Sequence, residues 1–106
     1  MIYVFDIDGT ICSISGGDYQ SATPFYGRIK KNNLLYDEGN MITYFTARGM
    51  GRTNNNQEVA SEIMYETTKS QLEKWGVKYH QLLLGKPSGD IYVDDKGTNA
   101  EDFYGD

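Results

Sequence analysis

Two carboxylates, Asp6 and Asp8, follow directly on an apolar run from Ile2 to Phe5, and a Gly9-Thr10 turn closes the stretch. The run has no polar alternation, which predicts a strand buried on both faces of a parallel sheet. Acids at the end of such a strand are unfavourable unless a partner compensates their charge. Open α/β sheets bind ligands beyond the carboxyl ends of their strands. Asp6 and Asp8 therefore stand where a metal ion and a substrate could both reach them.

An isolated Asp-x-Asp-Gly is as readily a strand-ending turn as a site. Three later stretches point to the same place. Thr46 ends the apolar run that starts at Met41, Lys86 follows Leu82 to Leu84 across one glycine, and Asp94-Asp95 follow Ile91 to Val93. Each has an ordinary structural explanation when taken alone: a strand-end hydroxyl, a surface ammonium, an acid pair at a helix start. Parallel strands bring their carboxyl ends to one rim, where residues about forty positions apart can converge. A hydroxyl, a cation and four acids on one rim suit phosphate chemistry.

The elements that must position these groups are legible in outline. Residues 11–22 are rich in glycine and serine and predict a loop or small flap. Thr23-Pro24 resembles a helix start with a hydroxyl cap, which predicts a helix from 24 to about 35. Strand two follows over 41–46, then a loop over 47–53 carrying Arg48 and Arg52, either of which could meet a substrate anion. A long helix is expected from about Asn55 to Trp75, capped by Asn55 with Glu58 and ended by Gly76. Strand three centres on Leu82 to Leu84 and strand four on Ile91 to Val93. Thr98 with Glu101 predicts a last short helix through Phe103. The alternation reads as one α/β domain over 1–106, a small Rossmann-like parallel sheet of about four strands flanked by helices.

Composition narrows the partners. A net charge of −5 argues against broad binding to nucleic acid or an anionic membrane, since both need a basic face. The one dense basic run, Arg28 to Lys31, reads as a solvated helix face. No apolar run approaches the ~20 residues of a membrane span. Cys12 is the sole cysteine, which excludes an internal disulfide and suits a reducing, cytoplasmic setting. His80, the sole histidine, reads as a structural imidazole. A small phosphorylated substrate is the partner expected, and a homo-oligomer is left open.

The ordered set Asp6-Ile7-Asp8-Gly9-Thr10, Thr46, Lys86 and Asp94-Asp95 resembles the four motifs of the haloacid dehalogenase superfamily, and the resemblance spans residues 2 to about 103. It implies a HAD-like fold and a phosphatase. In that scheme Asp6 is the nucleophile that forms an aspartyl-phosphate, and Asp8 protonates the leaving alcohol and then activates water. Thr46 donates to a phosphoryl oxygen and Lys86 offsets charge on the transferred group. Mg²⁺ is held by Asp6, the backbone carbonyl of Asp8, Asp94 and Asp95, while Gly9, Thr10, Ala47 and Arg48 line the substrate. The intervals between motifs are too short for a cap domain, so the resemblance is to minimal, capless members. Asn99 stands where many members carry an acid. Small capless relatives often act on sugar phosphates. A phosphotransferase using the same intermediate, and a silent phospho-ligand-binding module, are the alternatives.

Overall fold

The strands β1 (Ile2–Phe5), β2 (Met41–Thr46) and β3 (Gln81–Leu84) form a parallel sheet in the order β1-β2-β3. Helices α1 (Tyr26–Asp37) and α2 (Gln57–Lys74) make the two crossovers, and a short α3 (Ala100–Tyr104) closes the chain. This computed structural model describes residues 1–106 except for the side chain of Arg52. The α/β class and the parallel pairing match the sequence. Tyr3 lies opposite Ile42 and Phe5 opposite Tyr44, while Tyr44 faces Leu82 and Thr46 faces Leu84.

Two sequence expectations fail in the sheet. Residues 91–93 are not a strand: Ile91 is 82% exposed and Val93 89%, and neither pairs with the sheet. Local hydrogen bonds hold this stretch differently. The Tyr92 hydroxyl donates to the Pro87 carbonyl at 2.6 Å and accepts from the Gly89 amide at 3.0 Å, folding 87–92 back on itself. The sheet therefore has three strands, and β1 is an edge.

Nor is β1 buried on both faces. Tyr3 and Phe5 face the core, but Val4 is 61% exposed and Ile2 is exposed with it. The same alternation continues across the sheet, with Ile42, Tyr44, Leu82 and Leu84 buried and Met41 and Leu83 exposed. Strands laid down in one direction with crossovers of one hand receive all their helices on one face. Buried Ile29 of α1 and Met64 and Leu72 of α2 accordingly join the single cluster around Phe5, Ile42, Tyr44, Leu82 and Leu84.

Both long helices begin slightly later than predicted. Thr23 and Pro24 are drawn into pairing with the loop, Ser13 and Thr23 exchanging bonds and Cys12 bridging Pro24, so Phe25 becomes the N-cap of α1. Asn56 caps α2 by accepting from the Val59 amide at 3.1 Å; Asn55 sits before it with a left-handed φ of 62°. Gly76 adopts φ 73° just past α2, as the end of that helix requires. Asn99, not Thr98, caps α3 by accepting from Glu101.

The basic run is not a plain solvated face. Arg28 forks onto Asp106 and lies over the Tyr104 ring, and Lys31 donates to the Phe103 carbonyl. These contacts tie α3 to α1. Phe103 then packs edge-on against Tyr3 and Phe5. His80 is structural as expected: its Nδ1 accepts from the Ile42 amide, and its ring stacks on Tyr36.

Beneath α1 the fully buried Asn32 links two phenols. Its Nδ2 donates to the Tyr44 hydroxyl at 3.0 Å, and its Oδ1 accepts from Tyr104 at 2.9 Å. A buried polar group left without its partner costs about 1–3 kcal/mol. Asn32→Ala, which strands both hydroxyls and opens a small void, is expected to lower stability by about 2–3 kcal/mol. Urea unfolding of the variant against the parent measures it.

Candidate active site at the carboxyl rim of the sheet

β1 delivers its chain to the rim at Asp6, and the backbone then turns tightly. Thr10 and Ile11 both donate to the Ile7 carbonyl, and Gly9 donates to Cys12 at 2.8 Å. Gly9 takes φ +83°, and a Cβ there would meet Ile14 at 3.3 Å, so the turn depends on glycine. The turn sets Asp6 and Asp8 on the same side of the rim, with Ile7 fully buried between them.

Asp6 is fixed from two directions. One carboxylate oxygen, Oδ1, accepts from the Ile7 amide at 2.8 Å, while Oδ2 lies 3.4 Å from the Lys86 ammonium. Burial pushes the Asp6 carboxyl up from its ordinary value of 3.8, Lys86 pulls it back, and the Asp8 charge adds a smaller push upward. Lys86 is carried there by β3: its amide donates to the Thr46 carbonyl at 3.2 Å, continuing the ladder past Leu84. Its ammonium also sits 4.3 Å above the Tyr92 ring.

Thr46 ends β2 almost fully buried, and its Oγ1 accepts from the Arg48 amide at 3.1 Å. That bond uses an oxygen lone pair and leaves the hydroxyl proton for another acceptor. Ala47 follows at the rim, half-buried, its carbonyl accepting from Met50. The Thr10 carbonyl accepts from Arg28 at 3.1 Å, which ties this loop to α1.

Arg48, expected to meet a substrate anion, is turned inward. It is 1% exposed and forks onto Asp8, Nε to Oδ2 at 2.9 Å and Nη2 to Oδ1 at 3.0 Å. Nη1 donates to Gln71 Oε1 at 2.6 Å and Thr68 Oγ1 at 3.4 Å, and Nη2 also reaches Cys12 Sγ. The Tyr19 ring covers the guanidinium at 4.7 Å. A guanidinium has five N–H donors, and these contacts engage all of them inside the protein. Arg52, the other candidate for a substrate anion, has its side chain outside the described residues. Sequence reasoning missed Thr68, Gln71 and Tyr19; the one available signal was a polar pair, Thr68 and Gln71, on the buried stripe of α2.

Cys12 completes this layer. It is fully buried, and desolvation together with the neighbouring Asp8 charge pushes its thiol up to about 12. A thiol so held is inert as a nucleophile.

Asp6 and Lys86 thus pair at the rim, Asp8 and Thr46 are linked there through Arg48, and Asp94 and Asp95 do not join them. Asp94 and Asp95 are exposed, and Asp94 Oδ1 accepts from the Lys96 and Gly97 amides in a turn of its own. Among the described residues no three Asp, Glu, His or Cys side chains gather to hold a metal ion. The carboxylates expected to hold Mg²⁺ with the Asp8 backbone carbonyl are therefore not gathered in this arrangement. The missing fourth strand is the reason, because without pairing to an edge of the sheet nothing carries 94–95 to the rim.

The chain is similar to the crystal structure of an MCSG target from Vibrio cholerae. The two superpose with a TM-score of 0.89 at 25% identity, over 97% of this chain and 86% of that one. No family model matches the chain, and no curated protein matches it. No helix among the described residues is long and apolar enough to cross a membrane.

The environment of Asp6 has a consequence for stability. A carboxyl raised on folding is opposed in its ionised form, so the folded state loses stability as pH climbs from 3.8 through the raised value. Asp6→Asn removes that opposition. Its melting temperature is expected to exceed the parent's by a few degrees at pH 7, and the gap should close below about pH 4. Thermal unfolding across pH 3–8 reads both ends.

Proposed function

We propose that the protein is a Mg²⁺-dependent phosphomonoester hydrolase of the capless, HAD-like type, acting through an aspartyl-phosphate on a small phosphorylated metabolite such as a sugar phosphate. The observation that carries this reading is the meeting of Asp6, Asp8, Thr46 and Lys86 on one rim, with Lys86 Nζ 3.4 Å from Asp6 Oδ2. That rim is where parallel α/β sheets bind ligands.

The chemistry follows from the side chains. The Ile7 amide holds one Asp6 oxygen, and the other, beside Lys86, is the one that attacks phosphorus in this reading. The ester P–O bond breaks and the leaving oxygen takes a proton from Asp8. Water then attacks the phosphorus of the acyl phosphate and gives its proton to Asp8, and the electron pair returns to Asp6. Lys86 offsets negative charge on the transferred group, and the Thr46 hydroxyl donates to one of its oxygens.

Magnesium belongs to the proposal as a requirement, and with it Asp94 and Asp95. When bound, the ion would neutralise charge shared between carboxylates and phosphate. β1 has a free edge and the 91–93 segment is exposed, so the sheet has room for that segment to join it. The single buried thiol accords with a cytoplasmic setting.

Purified protein incubated with a panel of phosphate esters is expected to release free phosphate with Mg²⁺ and little in excess chelator. Asp6→Asn should reduce release by at least about 10³-fold, the scale seen when a nucleophile is removed. Asp95→Asn should raise the Mg²⁺ concentration needed for half-activation. A second reading, a phospho-ligand-binding module without turnover, draws on the ungathered acids. Release no greater than that of Asp6→Asn from every ester would favour it. Phosphate appearing on an added acceptor instead of in solution would mark a phosphotransferase.

A further inference from the structure

We infer that Arg48 is a positioning residue for Asp8, set from behind by Gln71 and Thr68 of α2, and that it serves the hydrolysis of the phosphorylated enzyme. This rests on the reading above, because it assigns a task within that reaction. It also replaces the expectation that Arg48 binds the substrate anion.

Asp8 is one-fifth exposed and reaches the rim, while the Arg48 side chain below it is wholly buried. A forked guanidinium–carboxylate pair fixes both the position and the plane of the carboxylate, which a single ammonium cannot do. The fork is itself immobilised. Gln71 Oε1 takes Nη1 at 2.6 Å, Thr68 Oγ1 takes it at 3.4 Å, and the Tyr19 ring caps the guanidinium face. Gln71 also donates from Nε2 to the Tyr19 carbonyl at 2.7 Å, so one residue of α2 braces both the arginine and the loop above it.

The stage at which this matters follows from what each half-reaction asks of the carboxylate that the fork holds in place. Hydrolysis of the intermediate needs a proton acceptor: water forms the new P–O bond, the Asp6–phosphorus bond breaks, and the water proton passes to Asp8. Formation of the intermediate from an ester with a good leaving group needs no proton donor. Loss of Arg48 should therefore slow the second half-reaction and spare the first when p-nitrophenyl phosphate is the substrate.

The test is pre-steady-state kinetics with p-nitrophenyl phosphate on Arg48→Gln, Arg48→Lys and Gln71→Ala, with Mg²⁺ present. Arg48→Gln is expected to show a burst approaching one nitrophenolate per enzyme. Its kcat should fall on the order of 10²-fold, the scale of a misplaced catalytic group, with kcat/KM within about threefold of the parent. Arg48→Lys, which keeps the charge but not the fork, should fall between. Gln71→Ala should give a smaller burst of the same kind, and it carries the test if Arg48→Gln does not fold. Equal falls in kcat and kcat/KM without a burst in the folded variants would overturn the inference and leave the hydrolase intact. A parent protein that releases no nitrophenolate above Asp6→Asn would overturn the hydrolase reading and the inference together.

Discussion

Strands that run the same way and are wound in one direction must end on one rim and collect their helices on one face. The rest of this structure follows from that constraint. Asp6, Thr46 and Lys86 come from three different strands, yet they meet because β1, β2 and β3 are parallel and adjacent. The same winding puts α1 and α2 over Tyr3, Phe5, Ile42, Tyr44, Leu82 and Leu84, and leaves Ile2, Val4, Met41 and Leu83 facing outward. Convergence of the rim and exposure of the opposite face have one topological origin.

Below the rim lies a layer of buried polar groups that pair with one another. The Arg48 guanidinium is buried at the junction of the first turn, the loop after β2 and the middle of α2. A buried cation is tolerable only when it is paired and its donors are satisfied. Here Asp8 supplies the charge, and Gln71, Thr68 and Cys12 take the remaining donors. A second buried network, Tyr44–Asn32–Tyr104, does the same under α1 with neutral groups and fixes α3 against it. Arg28 and Lys31 then secure α3 from outside, so the basic run of the sequence is spent on internal contacts.

The stretch from Lys86 to Asn99 is the least committed to the rest of the fold. Its ordering is mostly local, through Tyr92 back to Pro87 and Gly89 and through Asp94 to the amides of Lys96 and Gly97. Lys86 and Ser88 are exceptions: Lys86 is held at the rim by the β3 ladder and by Asp6, and the Ser88 amide donates to Asn55 Oδ1. The chain thus presents half of the expected acid set in a rigid setting and the other half on an exposed segment. A phosphatase reading draws on the first half and requires movement of the second.

Periodicity and caps along the sequence determined the α/β class, the extent of β2, the two crossover helices to within a few residues and the glycine stop after α2, because these are local choices of backbone and pattern. The order of Asp6, Asp8, Thr46 and Lys86 along the chain was enough to place them on one rim once parallel pairing was granted. Tertiary structure alone decided three things. An apolar tripeptide, Ile91 to Val93, reads as a strand, but a strand exists only if an edge accepts it, and here Tyr92 closes a local turn instead. An unbroken apolar run reads as doubly buried, yet the direction of winding exposed half of β1. An arginine on a glycine-rich loop at the rim reads as a contact for a substrate anion, but its direction depends on partners twenty and more residues away, and Asp8, Thr68 and Gln71 turned it inward.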